Sequence, residues 1–199
     1  SDILAGMAET NPAVTITVAR ETMPKLENHF LQSENPGVVM TFAEVKFLLA
    51  EAVLNGWNVP GGNAETLYKE GVRAAIDFLT ERYGCDAVSQ EEFDAYIADG
   101  GSFGHAEAEQ RKAINTQAWI LHFTNPAECW ANQRRSGYPV LKSPAEYGFD
   151  DYLTGGQDIP VRLCYPVLES SYNKANYDDA LSRMGGSDSW YNHVWWDNE

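Results

Sequence analysis

The sequence predicts a mainly α-helical fold of antiparallel helix pairs, with long irregular loops and a few short strands. Three observations carry that expectation. Apolar residues recur at helical spacing in five segments between Thr41 and Arg135. Side chains suited to capping stand before three of these segments, at Thr41, Ser89 and Asn125, and glycines follow, as at Gly84 and Gly137. With 199 residues and 44% hydrophobic content, the chain can also bury one sizeable core.

Residues 1–40 read as a loop-rich lead-in. Val14, Ile16 and Val18 alternate with Thr15 and Thr17 as in a short strand, while Pro24 and Pro36 interrupt any helix. From Thr41 to Gly56 the pattern turns helical. Thr41 and Glu44 are set as a capping box, and Phe42, Val45, Leu49 and Val53 follow at helical spacing. Phe47, Leu48 and Leu54 are apolar too, so little of this helix can face water and a central place is expected.

The next helix, Asn63 to Tyr83, sets Leu67, Gly71, Ala75, Phe78 and Leu79 against Glu70, Arg73, Asp77 and Glu81, and Gly84 ends it. Ser89 with Glu92 starts a short helix through Phe93 and Ile97 that stops at Gly100 and Gly101. Arg111 to Phe123 then places Ile114, Ala118 and Leu121 on one face. Asn125 caps a following helix, Pro126 takes its first position, and Glu128 is placed to close a third box. Trp130 precedes Arg134 by one helical turn, and Ser136 to Pro139 make the closing turn. Small residues at Ala50, Ala52, Gly71 and Ala74 suit close, tetratricopeptide-like pairing, although the pair from Thr41 to Gly84 exceeds the usual repeat of about 34 residues.

Beyond Tyr138, Gly148, Gly155, Gly156 and the prolines Pro139, Pro144, Pro160 and Pro166 predict a long irregular loop. Within and after it, Val161 to Tyr165 is expected as a strand and Tyr177 to Met184 as a helix capped by Asn176. The end carries Trp190, Tyr191, Trp195 and Trp196, and so many large rings are expected to dock, closing the core or covering a seam.

Composition excludes several function classes. Fourteen basic residues against 29 acidic give a net charge of −15, which opposes binding to nucleic acid or anionic lipid. No apolar run approaches the length of about 18 residues needed for a spanning helix, and the opening SDILAGMAETNP is not a signal peptide. Cys85, Cys129 and Cys164 are too dispersed for a disulfide framework or a CxxC module and read mainly as free buried thiols, with one disulfide left open.

Chemistry finds little to anchor on. His29, His105, His122 and His193 lack zinc spacing, and no GxSxG elbow, phosphate loop or dinucleotide fingerprint occurs. Cys129 with His122 is the best nucleophile pair, but a cysteine inside a packed helix is usually inert. Glu44, Glu65, Glu92 and Glu128 fall in first helical turns, where they serve backbone N–H groups. Asp150, Asp151 and Asp158 lack the EF-hand pattern, so neither metal nor cofactor is expected. Aromatics, at 12%, suit sugar stacking, with Trp57, Tyr147, Phe149, Tyr152 and Trp190 as candidate ligand contacts near loops or helix ends. Trp119, Trp130 and Tyr138 are assigned to the scaffold, and Arg134 and Arg135 to anchoring bonds with carboxylates or helix-end carbonyls.

The ordered segments GVVMTFAEVKFLLAEAVLNGW, WILHF, WANQRRSGYP, DIPVRLCYPVLESSYN and VWWDNE, taken together, resemble the C-terminal region of the SusD/RagB family. The resemblance covers most of the chain. It implies a tetratricopeptide-like scaffold of a surface-exposed, lipid-anchored outer-membrane lipoprotein, which binds a glycan or peptide without catalysis and passes it to a SusC-like TonB-dependent transporter. It also implies that this chain is a C-terminal fragment: residues 1–40 would be the remnant of a missing N-terminal part and 41–199 the helical region, with the lipid anchor outside it. Two other readings stand beside this one, a tetratricopeptide-like protein-interaction adaptor and a carbohydrate-active hydrolase.

Overall fold

The computed structural model describes residues 28–35, 37–143, 146 and 159–197. Their regular structure is seven α-helices and two short 3₁₀ turns, with no strand among the described residues. The helices are α1 (Phe42–Leu54), α2 (Ala64–Tyr83), α3 (Gln90–Ala98), α4 (Glu107–Leu121), α5 (Pro126–Ser136), α6 (Val167–Tyr172) and α7 (Lys174–Arg183). Two compact units are distinguished, one of residues 1–37 and 78–86 and one of residues 38–77 and 87–199. The expected strand at Val14 to Val18 lies outside the described residues.

In the smaller unit a 3₁₀ turn, Asn28–Leu31, brings Phe30 against Tyr83, with ring centroids 4.9 Å apart. The Asn35 amide donates to the His29 carbonyl at 2.7 Å, and Cys85 Sγ lies 3.7 Å from His29 Nε2. Gly84 takes φ +68°, the left-handed conformation that ends α2 without a Cβ clash.

The larger unit holds the core. Ala43, Phe47 and Ala50 of α1, Leu67, Tyr68 and Val72 of α2, Phe93 of α3, Phe103, and Ile114 and Ala118 of α4 form one buried apolar cluster. α1 runs against α4, and α4 against α5. α1 meets α2 through side chains: the Phe47 ring lies over Gly71, and Lys46 pairs with Glu70 at 2.7 Å. Tyr68 is wholly buried between Phe47 and Phe103, and its hydroxyl donates to the Gly101 carbonyl at 2.8 Å, fixing the turn after α3. Burial, with a smaller contribution from Tyr96, pushes its phenol far above the ordinary value.

The caps divide in a physically informative way. Ser89 and Glu92 form a complete box, the Glu92 carboxylate accepting from the Ser89 N–H at 2.8 Å while Ser89 Oγ accepts from the Glu92 N–H at 3.3 Å. Thr41 and Asn125 each accept from the N–H three residues on, at 3.1 and 3.5 Å, but the return arms from Glu44 and Glu128 are not part of these caps. Both glutamates line a cavity between helices instead. A further cap forms at α4, where Glu109 reaches back to the N–H groups of His105 and Ala106, at 2.9 and 3.1 Å.

Two expectations for the C-terminal segment need correction. Val161 to Tyr165 is not a strand: the N–H groups of Val161 and Arg162 both point at the single carbonyl of Trp190, at 2.9 and 3.3 Å, so no ladder propagates. The last helix begins at Lys174, not Tyr177, and Asn176 sits in its first turn, donating to Asn173 Oδ1 at 2.6 Å. α6 was unforeseen, being too short to display a period. An ion pair, Arg162 with Asp188 at 3.0 Å and both side chains nearly buried, ties this segment together. Of the terminal rings, Trp190 and Tyr191 are partly buried, whereas Trp195 remains 88% exposed.

Two predictions follow from these contacts. A Cβ at Gly71 would stand 2.6 Å from Phe47 Cε1, so Gly71→Ala should destabilise the fold by about 1–3 kcal/mol. Helix propensity alone would stabilise by up to about 1 kcal/mol, so the sign of the change in urea unfolding decides between them. For the caps, the side-chain and backbone bonds from Ser89 hold Glu92 below its ordinary 4.5, and the backbone bonds of His105 and Ala106 do the same for Glu109. Their folded-state values lie below the unfolded ones, so their stabilisation is present above the unfolded value and is lost as pH falls through the depressed values. Glu92→Gln with Glu109→Gln should therefore lower stability above the unfolded values and flatten the acid side of the stability profile.

Candidate functional site

Three helices form a crevice whose geometry follows from helical spacing. Glu44, Phe47, Leu48 and Glu51 of α1 make one wall, and Glu128, Ala131, Asn132 and Arg135 of α5 the other. Ile114, Asn115 and Ala118 of α4, with His122 just beyond it, make the floor of this cavity of about 180 Å³. A polar network closes one side. Arg135 donates to both Glu51 oxygens at 2.8 and 2.9 Å, and to the side-chain oxygens of Asn115 and Asn132, both at 3.1 Å. Asn132 donates in turn to the Asn115 carbonyl at 3.1 Å.

A second cavity, of about 260 Å³, lies between the end of α5 and the C-terminal segment, and its lining includes Arg134, Val140, Ile159, His193 and Asp197. The Arg134 guanidinium lies over the Trp130 ring at 4.5 Å and the Trp196 ring at 5.4 Å. Trp130 is itself fixed, its indole N–H donating to the Pro160 carbonyl at 3.0 Å. A third, of about 320 Å³, is lined by Tyr68, Lys112, Thr116 and Gln117, among others.

The candidate contacts are distributed along the chain. Trp57 is 68% exposed just beyond α1, its N–H bonded to the Ala52 carbonyl at 3.0 Å. Trp190 is partly buried in the C-terminal segment, and neither ring lines the three cavities above. Tyr147, Phe149 and Tyr152 lie outside the described residues, as do Asp150, Asp151 and Asp158. Trp119 is partly buried, with its carbonyl 3.7 Å from Cys129 Sγ. Tyr138 is likewise partly buried, bonded to Ser136 Oγ through its N–H at 3.1 Å.

The adjacent arginines behave differently. Arg135 engages a carboxylate. The Arg134 side chain makes no hydrogen bond or ion pair with the described residues, and its Nε is buried without a partner. The crevice network was missed in the sequence, although polar Glu51, Asn115, Asn132 and Arg135 interrupt helix faces that otherwise turn inward, which is the signal that would have found it.

Nucleophilic chemistry gains no support from Cys129, since burial pushes its thiol up and disfavours the thiolate. Burial, with Asp188 nearby, does the same for Cys164, and all three cysteines are free. Among the described residues no group of three or more His, Cys, Asp or Glu could hold a metal, and no helix is long and apolar enough to cross a membrane.

The family model described as SusD-like, SusD and RagB outer membrane lipoprotein, matches residues 3–197. A solved SusD-like protein of Bacteroidetes AC2a is 46% identical over 100% of this chain and 38% of its own, with a TM-score of 0.82. A chitin-binding protein is 35% identical over 87% of this chain and 36% of its own, at a TM-score of 0.72. A chitin-binding SusD homologue from Flavobacterium johnsoniae is 27% identical over 81% and 36%, at 0.63. The chain thus spans less than two-fifths of the length of these solved proteins. No curated protein matches it.

The network sets a stability test. Glu51 is largely buried and Arg135 about half exposed, so Arg135→Met should cost about 1–3 kcal/mol by leaving the carboxylate unpaired. Adding Glu51→Gln should recover part of that loss in urea unfolding, because the uncompensated charge is then gone.

Proposed function

The chain belongs to the SusD-like family of outer-membrane lipoproteins, and from that premise we propose that it is the helical scaffold of a non-catalytic nutrient-binding protein at the outer-membrane surface. The match over nearly the whole chain, together with two solved neighbours described as chitin-binding, carries this reading. The captured nutrient is a glycan or peptide, and its destination a SusC-like TonB-dependent transporter. Trp57, Tyr147, Phe149, Tyr152 and Trp190 are the proposed stacking contacts. Trp57 suits that role physically, presenting an exposed indole at a helix end. Trp119, Trp130, Tyr138 and Arg135 are proposed to hold the scaffold. Binding without cleavage accords with the raised thiol of Cys129.

Chitooligosaccharide is the first probe. In calorimetry, a version of the length of the solved relatives should bind it saturably and this chain alone more weakly, with the oligosaccharide recovered intact by chromatography. Trp57→Ala should weaken binding by about 2–10-fold, the worth of one stacked ring. Shortened oligosaccharide after incubation would establish a hydrolase instead.

A further inference from the structure

We propose that Arg134 is the receptor for a carboxylate group on the captured ligand, bound in the cavity between α5 and the C-terminal segment. The proposal deepens the capture reading above and rests on it for the ligand's origin. Four observations converge. The guanidinium lies over two indoles, Trp130 and Trp196, which restrict access of water to its ring-covered faces. Its Nε is buried with no acceptor, and it has no hydrogen bond or ion pair with the described residues. It lines a cavity of about 260 Å³, large enough for a sugar ring or a small peptide end. The one aspartate in the lining, Asp197, is already engaged by His193 Nδ1 at 2.9 Å.

An arginine in that state is an unusual resource. A buried donor without an acceptor is costly, and native proteins normally supply one. The planar fork of a guanidinium matches a carboxylate in two parallel bonds, and ring stacking holds the fork in place before the ligand arrives. Val140 and Ile159 add apolar surface to the same cavity, which suits a carboxylate carried on a compact body. The net charge of −15 opposes an anion at long range, but salt screens that field beyond about 8 Å. Arg135, next in sequence, cannot serve because Glu51 already occupies its fork.

The carboxylate could belong to an acidic sugar or to the end of a peptide, and paired probes separate them. The 199-residue chain is titrated with D-glucuronate against D-glucose, and with alanyl-alanine against its C-terminal amide, following tryptophan fluorescence. Preference for glucuronate over glucose identifies an acidic glycan, and preference for the free dipeptide over the amide identifies a peptide. Either supports the receptor, provided that Arg134→Gln reduces the preferred probe's affinity at least about tenfold. Arg134→Lys, which keeps the charge but loses the planar fork, should also weaken the preferred probe and covers the case in which Arg134→Gln does not fold, unchanged affinity in it overturning the proposal. No discrimination in either pair, or an unchanged affinity in folded Arg134→Gln, overturns the proposal. Chitooligosaccharide binding to the longer version without such discrimination would overturn this inference alone and leave nutrient capture standing.

Discussion

The bidentate bond between Arg135 and Glu51 is the constraint on which the placing of α5, and with it the two cavities that helix lines, depends, because it does for α5 what apolar burial does for the other core helices. α1, α2, α3 and α4 each place side chains in the buried cluster. α5 has no fully buried residue. Its attachment therefore rests on directional contacts: Arg135 to Glu51 and Asn115, Asn132 to Asn115, and Cys129 against the Trp119 carbonyl. Only the Arg135 bonds are charge-assisted, and with that side chain half exposed they contribute about 1 kcal/mol each, as much as the neutral bonds beside them. They also specify orientation, which nonspecific apolar contact does not.

That orientation decides what the neighbouring residue can do. Consecutive helical residues are turned by about 100°, so fixing Arg135 toward α1 and α4 necessarily turns Arg134 away from them. Arg134 then meets the Trp196 ring of the C-terminal segment and lies over Trp130 one turn earlier. The segment is itself located by a second ionic contact, Arg162 with Asp188, whose other oxygen accepts from the Tyr165 N–H at 3.0 Å. Two ion pairs of similar chemistry thus belong to the two elements that line the second cavity, one to the helix and the other to the C-terminal segment that carries Trp196.

Sequence patterns conveyed the helices well where local rules govern and poorly where tertiary contacts do. α1 and α2 lie within a residue or two of their expected limits because apolar spacing and flanking caps agree. The Ser89 box closed because it is exposed and local, whereas Glu44 and Glu128, equally well placed in sequence, face a cavity that no local rule anticipates. The apolar run at Val161 looked like a strand because a β-run and an irregular segment between prolines share one composition, and the convergence on Trp190 is visible only in three dimensions. The candidate site was legible in part. Arginines beside tryptophans marked the right helix, but nothing in an Arg-Arg dipeptide reveals which fork will be occupied and which left open.

The resolved displacements of protonation among the described residues give acid–base chemistry no support. General acid–base catalysis works best with groups tuned near the working pH, and such tuning comes from charge and burial converging on one group. Here the clear displacements run the other way: burial drives Tyr68, Cys129 and Cys164 toward their neutral forms, and hydrogen bonds hold Glu92 and Glu109 in their charged ones. Each of these groups is thereby locked in the form it already favours at neutral pH, which removes it from acid–base work and leaves it as structure. What these groups leave for recognition is surface: the exposed ring of Trp57, and one guanidinium stacked on two indoles. Rings and forks suit recognition, since they hold a ligand by shape and charge, which is what the proposed nutrient capture would ask of them.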